Sequence, residues 1–153
     1  MATDVPPADE PTPLYDVFVL DRAVTALLDQ AMADSPLRPL EYAIYGLVEQ
    51  DPGCTATELA KRLSVPLTTM ADWLAPIIDR GHLERRRSER DRRSFGLELT
   101  AAGRAALGRS MDSFGVAYRA FAEHSRRPVG ELREVLGEMI EAAQAAADEL
   151  RSR

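Results

Sequence analysis

Apolar residues recur at three- and four-residue steps over Leu14 to Ala33, at Leu14, Val17, Phe18, Leu20, Val24, Leu27, Leu28 and Ala31. That period is helical, and so wide a stripe suits packing on more than one partner, a second subunit included. The prolines of residues 34–39, DSPLRP, break the pattern. A short second helix follows over Leu40 to Gln50, with Leu40, Ala43, Ile44, Leu47 and Val48 inward. Asp51-Pro52-Gly53 signals a turn. Thr55 and Glu58 then form a capping box, in which each side chain takes a free backbone N–H of the other's turn. It opens a third helix, Ala56 to Leu63, that buries Leu59, Ala60 and Leu63. Ser64-Val65-Pro66 is a tight joint. Pro66 suits the first position of a fourth helix, where a missing N–H costs nothing. That helix runs to Arg80, with Leu67, Met70, Leu74, Ile77 and Ile78 inward, Trp73 beside them, and Thr68, Thr69, Asp72 and Ala75 opposite. Gly81 ends it as a left-handed cap. Two short helices across such a joint form a helix-turn-helix pattern.

From His82 the period becomes two. Leu83 and Arg85 alternate with His82 and Glu84, and later Phe95, Leu97 and Leu99 alternate with Ser94, Gly96 and Glu98. This predicts a hairpin with one buried face. Its connection has no Asn-Gly type turn, so a longer loop is expected. Thr100 can cap a fifth helix reaching about His124, marked by Leu107, Met111, Phe114, Tyr118 and Phe121. Residues 125–128, SRRP, break the chain, and Pro128 opens a sixth helix. It carries Leu132, Val135, Leu136, Met139, Ile140, Ala143, Ala146, Ala147 and Leu150. The fold expected is mainly α with a small β-hairpin.

Composition adds limits. The 153 residues and 45% hydrophobic content favour one globular domain. Residues 1–13 hold four prolines and three acids and read as a tail that buries too little to order itself. Cys54 is the only cysteine, so no intrachain disulfide forms, which fits a reducing cytoplasm. No apolar run approaches the roughly 18 residues of a membrane helix, and the N-terminus has no signal pattern. Cytoplasm is the expectation, with no membrane partner.

Charge changes the picture most. Residues 85–93 hold six arginines against Glu89 and Asp91, a basic cluster in a chain of net charge −6. A concentrated basic tip on an acidic body points to one defined polyanion contact. No nucleophile elbow, phosphate loop, HExxH or paired-carboxylate motif occurs, and Cys54 with His82 and His124 makes no metal-ligand spacing. Neither an enzyme nor a cofactor is indicated.

The order of elements and several local motifs resemble the MarR family of winged helix-turn-helix transcription regulators. Asp91-Arg92-Arg93 followed by Leu99, Thr100 and Gly103 resembles the family's D-R-R…L-T-x-x-G wing signature. Residues 81–85, GHLER, are similar to its G-L-V-E-R wing entry. Thr57, Glu58, Leu59, Ala60 and Leu63 fit its third helix, and Leu40-Glu41-Tyr42 its second-helix start. The resemblance implies a homodimer built from the N- and C-terminal helices, with two recognition helices and two wings on a pseudo-palindromic double-stranded DNA operator. It also implies a repressor released by a small-molecule effector bound between the dimer helices and the DNA-binding lobe. On this plan residues 14–36 are the N-terminal dimerisation helix, 37–100 the DNA-binding lobe and 101–153 the C-terminal dimerisation helices. Two positions depart from the family. Its frequent Thr-Arg in the recognition helix is Ala71-Asp72 here, and Pro76 sits inside that helix, where it should bend or locally open it.

The candidate DNA-contacting residues are Thr68, Thr69 and Asp72 on the fourth helix and Arg85, Arg86, Arg87, Arg90, Arg92 and Arg93 on the wing. Arginines neutralise phosphates and enter narrow minor grooves. Threonines in the first turn reach phosphates or base edges. Asp72 has two readings, an acceptor for cytosine N4 or a charge that phosphates repel. Asp91, Thr100 and Gly103 are wing-structure residues. Tyr15, Phe18, Arg22, Tyr42, Tyr45 and Met111 border the implied effector pocket; core or dimer packing explains each equally well, and Arg22 has Asp21 as an ordinary partner. The rival class is a winged-helix module that binds protein, which would have no need of six clustered arginines.

Overall fold

A computed structural model describes residues 10–87 and 95–152, with Arg87 given by its backbone alone. Its elements are α1 (Pro13–Ala31), α2 (Pro39–Gln50), α3 (Ala56–Arg62), α4 (Leu67–Asp79), β1 (Leu83–Arg87), β2 (Phe95–Leu99), α5 (Ala101–His124) and α6 (Val129–Arg151). The expected mainly α fold with a single antiparallel hairpin is the fold observed.

Local chemistry sets the boundaries. The Thr12 hydroxyl accepts from the Tyr15 N–H at 3.2 Å and Pro13 follows as a first-turn residue, so the end of the expected 1–13 tail belongs to α1. The capping box of α3 forms as expected: Thr55 Oγ1 accepts from the Glu58 N–H, and Glu58 accepts from the Thr55 N–H at 2.7 Å. Pro66 is the extended residue before α4 rather than its first helical residue, and Pro128 stands likewise before α6. Proline holds φ near −65° in both settings, so the sequence alone leaves a one-residue ambiguity.

The core lies between α2, α3, α4, the hairpin and the start of α5. Leu37, Ile44, Tyr45, Val48, Leu59, Met70, Leu74, Ile77, Leu83, Leu97, Leu99 and Ala106 make one cluster. In the hairpin, Leu83 pairs with Leu99 and Arg85 with Leu97, which puts the three buried leucines on one face. The hairpin also gains a third, one-residue strand that periodicity does not reveal. Cys54 bridges Leu97: the Leu97 N–H donates to the Cys54 carbonyl at 2.8 Å, and the Gly53 N–H donates to the Leu97 carbonyl at 2.9 Å. A Cβ on Gly96 would stand 2.4 Å from the Gly53 carbonyl oxygen, so that crossing requires glycine.

Some expected core positions face outward. Leu40, Ala43, Leu67 and Phe95 are exposed. Each lies at an end of its element, or on its flank, beyond the reach of the facing layer. The largest correction concerns α5. Its buried residues are Gly103, Ala106, Ser110 and Ala117, while Met111, Tyr118 and Phe121 of the expected apolar line are exposed. Small side chains let α5 lie close on α1 and α2, and they turn the large ones away. Neither α1 nor α6 buries a residue fully, so the inward stripes expected for both are open in the single chain. Leu14 is 71% exposed and Phe18 73%.

Candidate nucleic-acid interface

The joint between α3 and α4 fixes how the second helix of the motif is presented. Ser64 adopts φ 53°, the left-handed region that L residues rarely take. This turn lets the Ser64 N–H donate to the Lys61 carbonyl at 3.1 Å and the Val65 N–H to the Ala60 carbonyl at 3.0 Å. Gln144 of α6 donates through Nε2 to Ser64 Oγ at 2.8 Å, so a distant helix also holds the joint.

Helix α4 buries Met70, Leu74 and Ile77 and exposes Thr68, Ala71, Asp72, Ala75 and Pro76; Thr69 is half-buried. The helix runs unbroken through Pro76, so the expected local opening does not occur. Pro76 lies on the exposed side of the helix. The far end is pinned twice. Gly81, at φ 70°, donates to the Ile78 carbonyl at 2.8 Å while the His82 N–H donates to Ile77 at 3.2 Å, the paired bonds of a Schellman cap. Arg80 donates to Glu41 at the start of α2, and this bond raises its pKa. Glu41 also accepts from the Arg38 N–H at 3.1 Å.

The wing is anchored at its base. Thr100 Oγ1 donates to the Gly81 carbonyl at 2.7 Å and accepts from the Gly103 N–H at 3.1 Å, while the Thr100 N–H donates to the His82 carbonyl at 3.0 Å. A Cβ on Gly103 would come within 2.2 Å of the His82 carbonyl oxygen. Threonine and glycine at that spacing therefore lock the hairpin onto α5. His82 Nδ1 and the Tyr45 hydroxyl, 2.9 Å apart, tie the same corner to α2.

Of the wing candidates, Arg85 and Arg86 are exposed on β1. Arg86 pairs with Glu84 at 2.8 Å and with Glu98 at 3.3 Å, and these carboxylates, Glu84 foremost, raise its pKa. Arg87 ends β1; its side chain, and Arg90, Asp91, Arg92, Arg93 and the loop carrying them, lie outside the described residues. Lys61 and Arg62, exposed at the end of α3 beside the joint, were not singled out from sequence. Cations are common where a helix dipole ends, and that ordinary explanation hides them.

The six residues of the implied effector pocket have different surroundings in the single chain. Tyr15, Phe18 and Met111 are exposed on α1 and α5. Arg22 pairs with Asp21 at 2.6 Å. Tyr42 stacks on Phe114 with ring centroids 4.6 Å apart, and burial raises its pKa. Tyr45 is fully buried in the core. None of the six lines the open cleft of about 500 Å³ where Ile140 and Gln144 of α6 face Leu47 and Leu63, with Lys61 and Arg62 also in its walls. Cys54 is 2% exposed, and burial, then Asp51 and Glu58, push its thiol up to about 11, which leaves it protonated and inert at neutral pH. No helix among the described residues is long and apolar enough to cross a membrane.

Comparison with known proteins agrees with this geometry. The MarR family model matches residues 38–95, which span α2, the helix-turn-helix and the hairpin up to the start of β2. No curated protein sequence matches the chain. Among solved structures, the transcriptional repressor CouR bound to a 23-mer DNA duplex is 26% identical, with a TM-score of 0.69 over 87% of this chain and 92% of that one. A Mycobacterium tuberculosis MarR family protein in complex with salicylic acid is also 26% identical, with a TM-score of 0.65 over 86% of this chain and 98% of that one. The M. tuberculosis regulator MOSR in complex with DNA shares the fold at a TM-score of 0.77, with 23% identity over 89% of this chain and 98% of that one. The motif, the hairpin and these matches agree, and together they support a MarR family winged-helix regulator.

Proposed function

We propose that the protein is a cytoplasmic, sequence-specific DNA-binding repressor that acts as a homodimer and is released by a small-molecule effector. One observation carries the DNA reading: the outer face of α4 is solvent-exposed, and the hairpin that follows it belongs to a stretch, residues 85–93, whose sequence holds six arginines. The helix would enter a major groove while the arginines neutralise phosphates and reach the flanking minor groove. Support comes from CouR, a relative solved on a DNA duplex. The DNA contacts proposed are Thr68, Thr69, Asp72, Arg85, Arg86, Arg87, Arg90, Arg92 and Arg93; Arg86 would exchange its glutamates for phosphate. Asp91, Thr100 and Gly103 shape the wing.

Residues 37–100 form the DNA-binding lobe, and 14–36 with 101–153 form the dimer. The dimer is supported by the open apolar faces of α1, α5 and α6, which a soluble single chain rarely shows. A small-molecule effector is supported by relatives solved with salicylic acid and with p-coumaroyl-CoA. An effector that changes the spacing of the two lobes would weaken binding, because both helices must meet grooves about 34 Å apart. No step in this mechanism calls for catalysis. The reading is tested by selecting bound fragments from the source genome. The expected result is a pseudo-palindrome with half-sites about one helical turn apart, upstream of a gene. Failure to enrich any fragment would favour the protein-binding rival.

A further inference from the structure

We infer that Asp72 is a specificity-determining residue that selects a cytosine in each operator half-site by accepting a hydrogen bond from its N4 amino group. This rests on the proposed DNA-binding function and names the base that α4 reads. Leu67–Asp79 contains two acids and no base, and Arg80, which follows it, is held by Glu41. The helix therefore has no arginine or lysine for guanine and no asparagine or glutamine for adenine. Its outer side chains that can meet a base edge are exposed Thr68 and Asp72, with half-buried Thr69 beside them.

Position favours Asp72. It lies four residues after Thr68, so one turn, about 6 Å, separates them on the same face. Around it the helix presents Ala71, Ala75 and Pro76, all exposed and all short. Such a surface lets the helix axis sink toward the groove floor, where a two-carbon carboxylate reaches a base. A long side chain would hold the helix off. Pro76 strengthens the acceptor character of this spot, because it has no N–H to offer the Asp72 carbonyl. In a major groove the strongest complement to an acceptor is an amino group, and cytosine offers N4 on a base whose own major-groove edge carries no acceptor; adenine sets its N6 amino group beside its own N7 acceptor. A phosphate contact is the poor alternative, since like charges repel.

The test is selection from a randomised duplex library with the full-length protein and with Asp72→Ala and Asp72→Asn. The wild type should prefer cytosine roughly tenfold at one position per half-site. Asp72→Ala should lose that preference alone and bind unrelated DNA several-fold more tightly, because a negative charge is gone. Asp72→Asn should move the preference to adenine, whose N6 and N7 suit an amide. If Asp72→Ala enriches the same sequences as wild type, with affinity raised equally for all of them, the inference fails and DNA binding stands. If the wild type enriches no sequence, both fail.

Discussion

Single residues carry the most decisive chemistry. The wing signature of threonine and glycine could be read from sequence as a pattern, but its reason is geometric: Gly103 lies against the His82 backbone. Gly103→Ala should therefore cost about 3 kcal/mol, the upper end for overpacking against atoms that cannot move aside, measured by urea unfolding. Unchanged stability would mean that α5 shifts freely from the hairpin. Cys54 makes an opposite kind of prediction. Its thiol has an ordinary pKa of 9.0 and is pushed up to about 11 in the folded chain. Between those values the unfolded chain has released its proton and the folded chain has not. Stability from this group is thus complete below about pH 9 and falls as pH rises toward about 11. Cys54→Ser, which barely ionises, should flatten that part of the stability curve, and native Cys54 should resist alkylation at neutral pH. Rapid native labelling would contradict its burial. Sequence placed Cys54 before α3 but gave no hint of its bridge to Leu97, since one residue of strand has no periodicity.

At the scale of elements, the order of helices and hairpin was legible because capping residues and changes of period mark each boundary. Which face of each helix is inside was less legible. In α5 the large side chains were the obvious stripe, yet the close contacts use Gly103, Ala106, Ser110 and Ala117. Hydrophobicity reports what prefers burial; it does not say whether the burying partner is in the same chain. The recognition helix shows a second limit. Pro76 was expected to bend or locally open α4; the helix is not opened, because Met70, Leu74 and Ile77 fix it to the core on both sides of the lost bond. Restoring that bond with Pro76→Ala should stabilise the protein by about 1–3 kcal/mol, offset in part by the freer unfolded chain. The check is the same urea titration, and a loss of stability would show that the proline ring is needed where it lies.

For the whole molecule, two features stand apart: apolar faces on α1, α5 and α6, and a basic cluster at one hairpin. Among the described residues, the large exposed apolar side chains lie on those three helices, Leu40, Leu67 and Phe95 excepted. Phe18→Asp should shift a dimer to monomer in analytical ultracentrifugation at micromolar concentration and leave the helix content intact; a chain already monomeric before substitution would refute the dimer. The charge asymmetry bears on the central claim, because a net charge of −6 opposes DNA everywhere except where the arginines gather. The most direct measurement is the salt dependence of binding to a duplex from the protein's own upstream region, for wild type and for Arg90→Ala and Arg92→Ala. Affinity should fall steeply from low to moderate salt, and the slope of log K against log salt should lessen by about one for each arginine removed. Binding that is absent, or insensitive both to salt and to these substitutions, would contradict a DNA-binding wing.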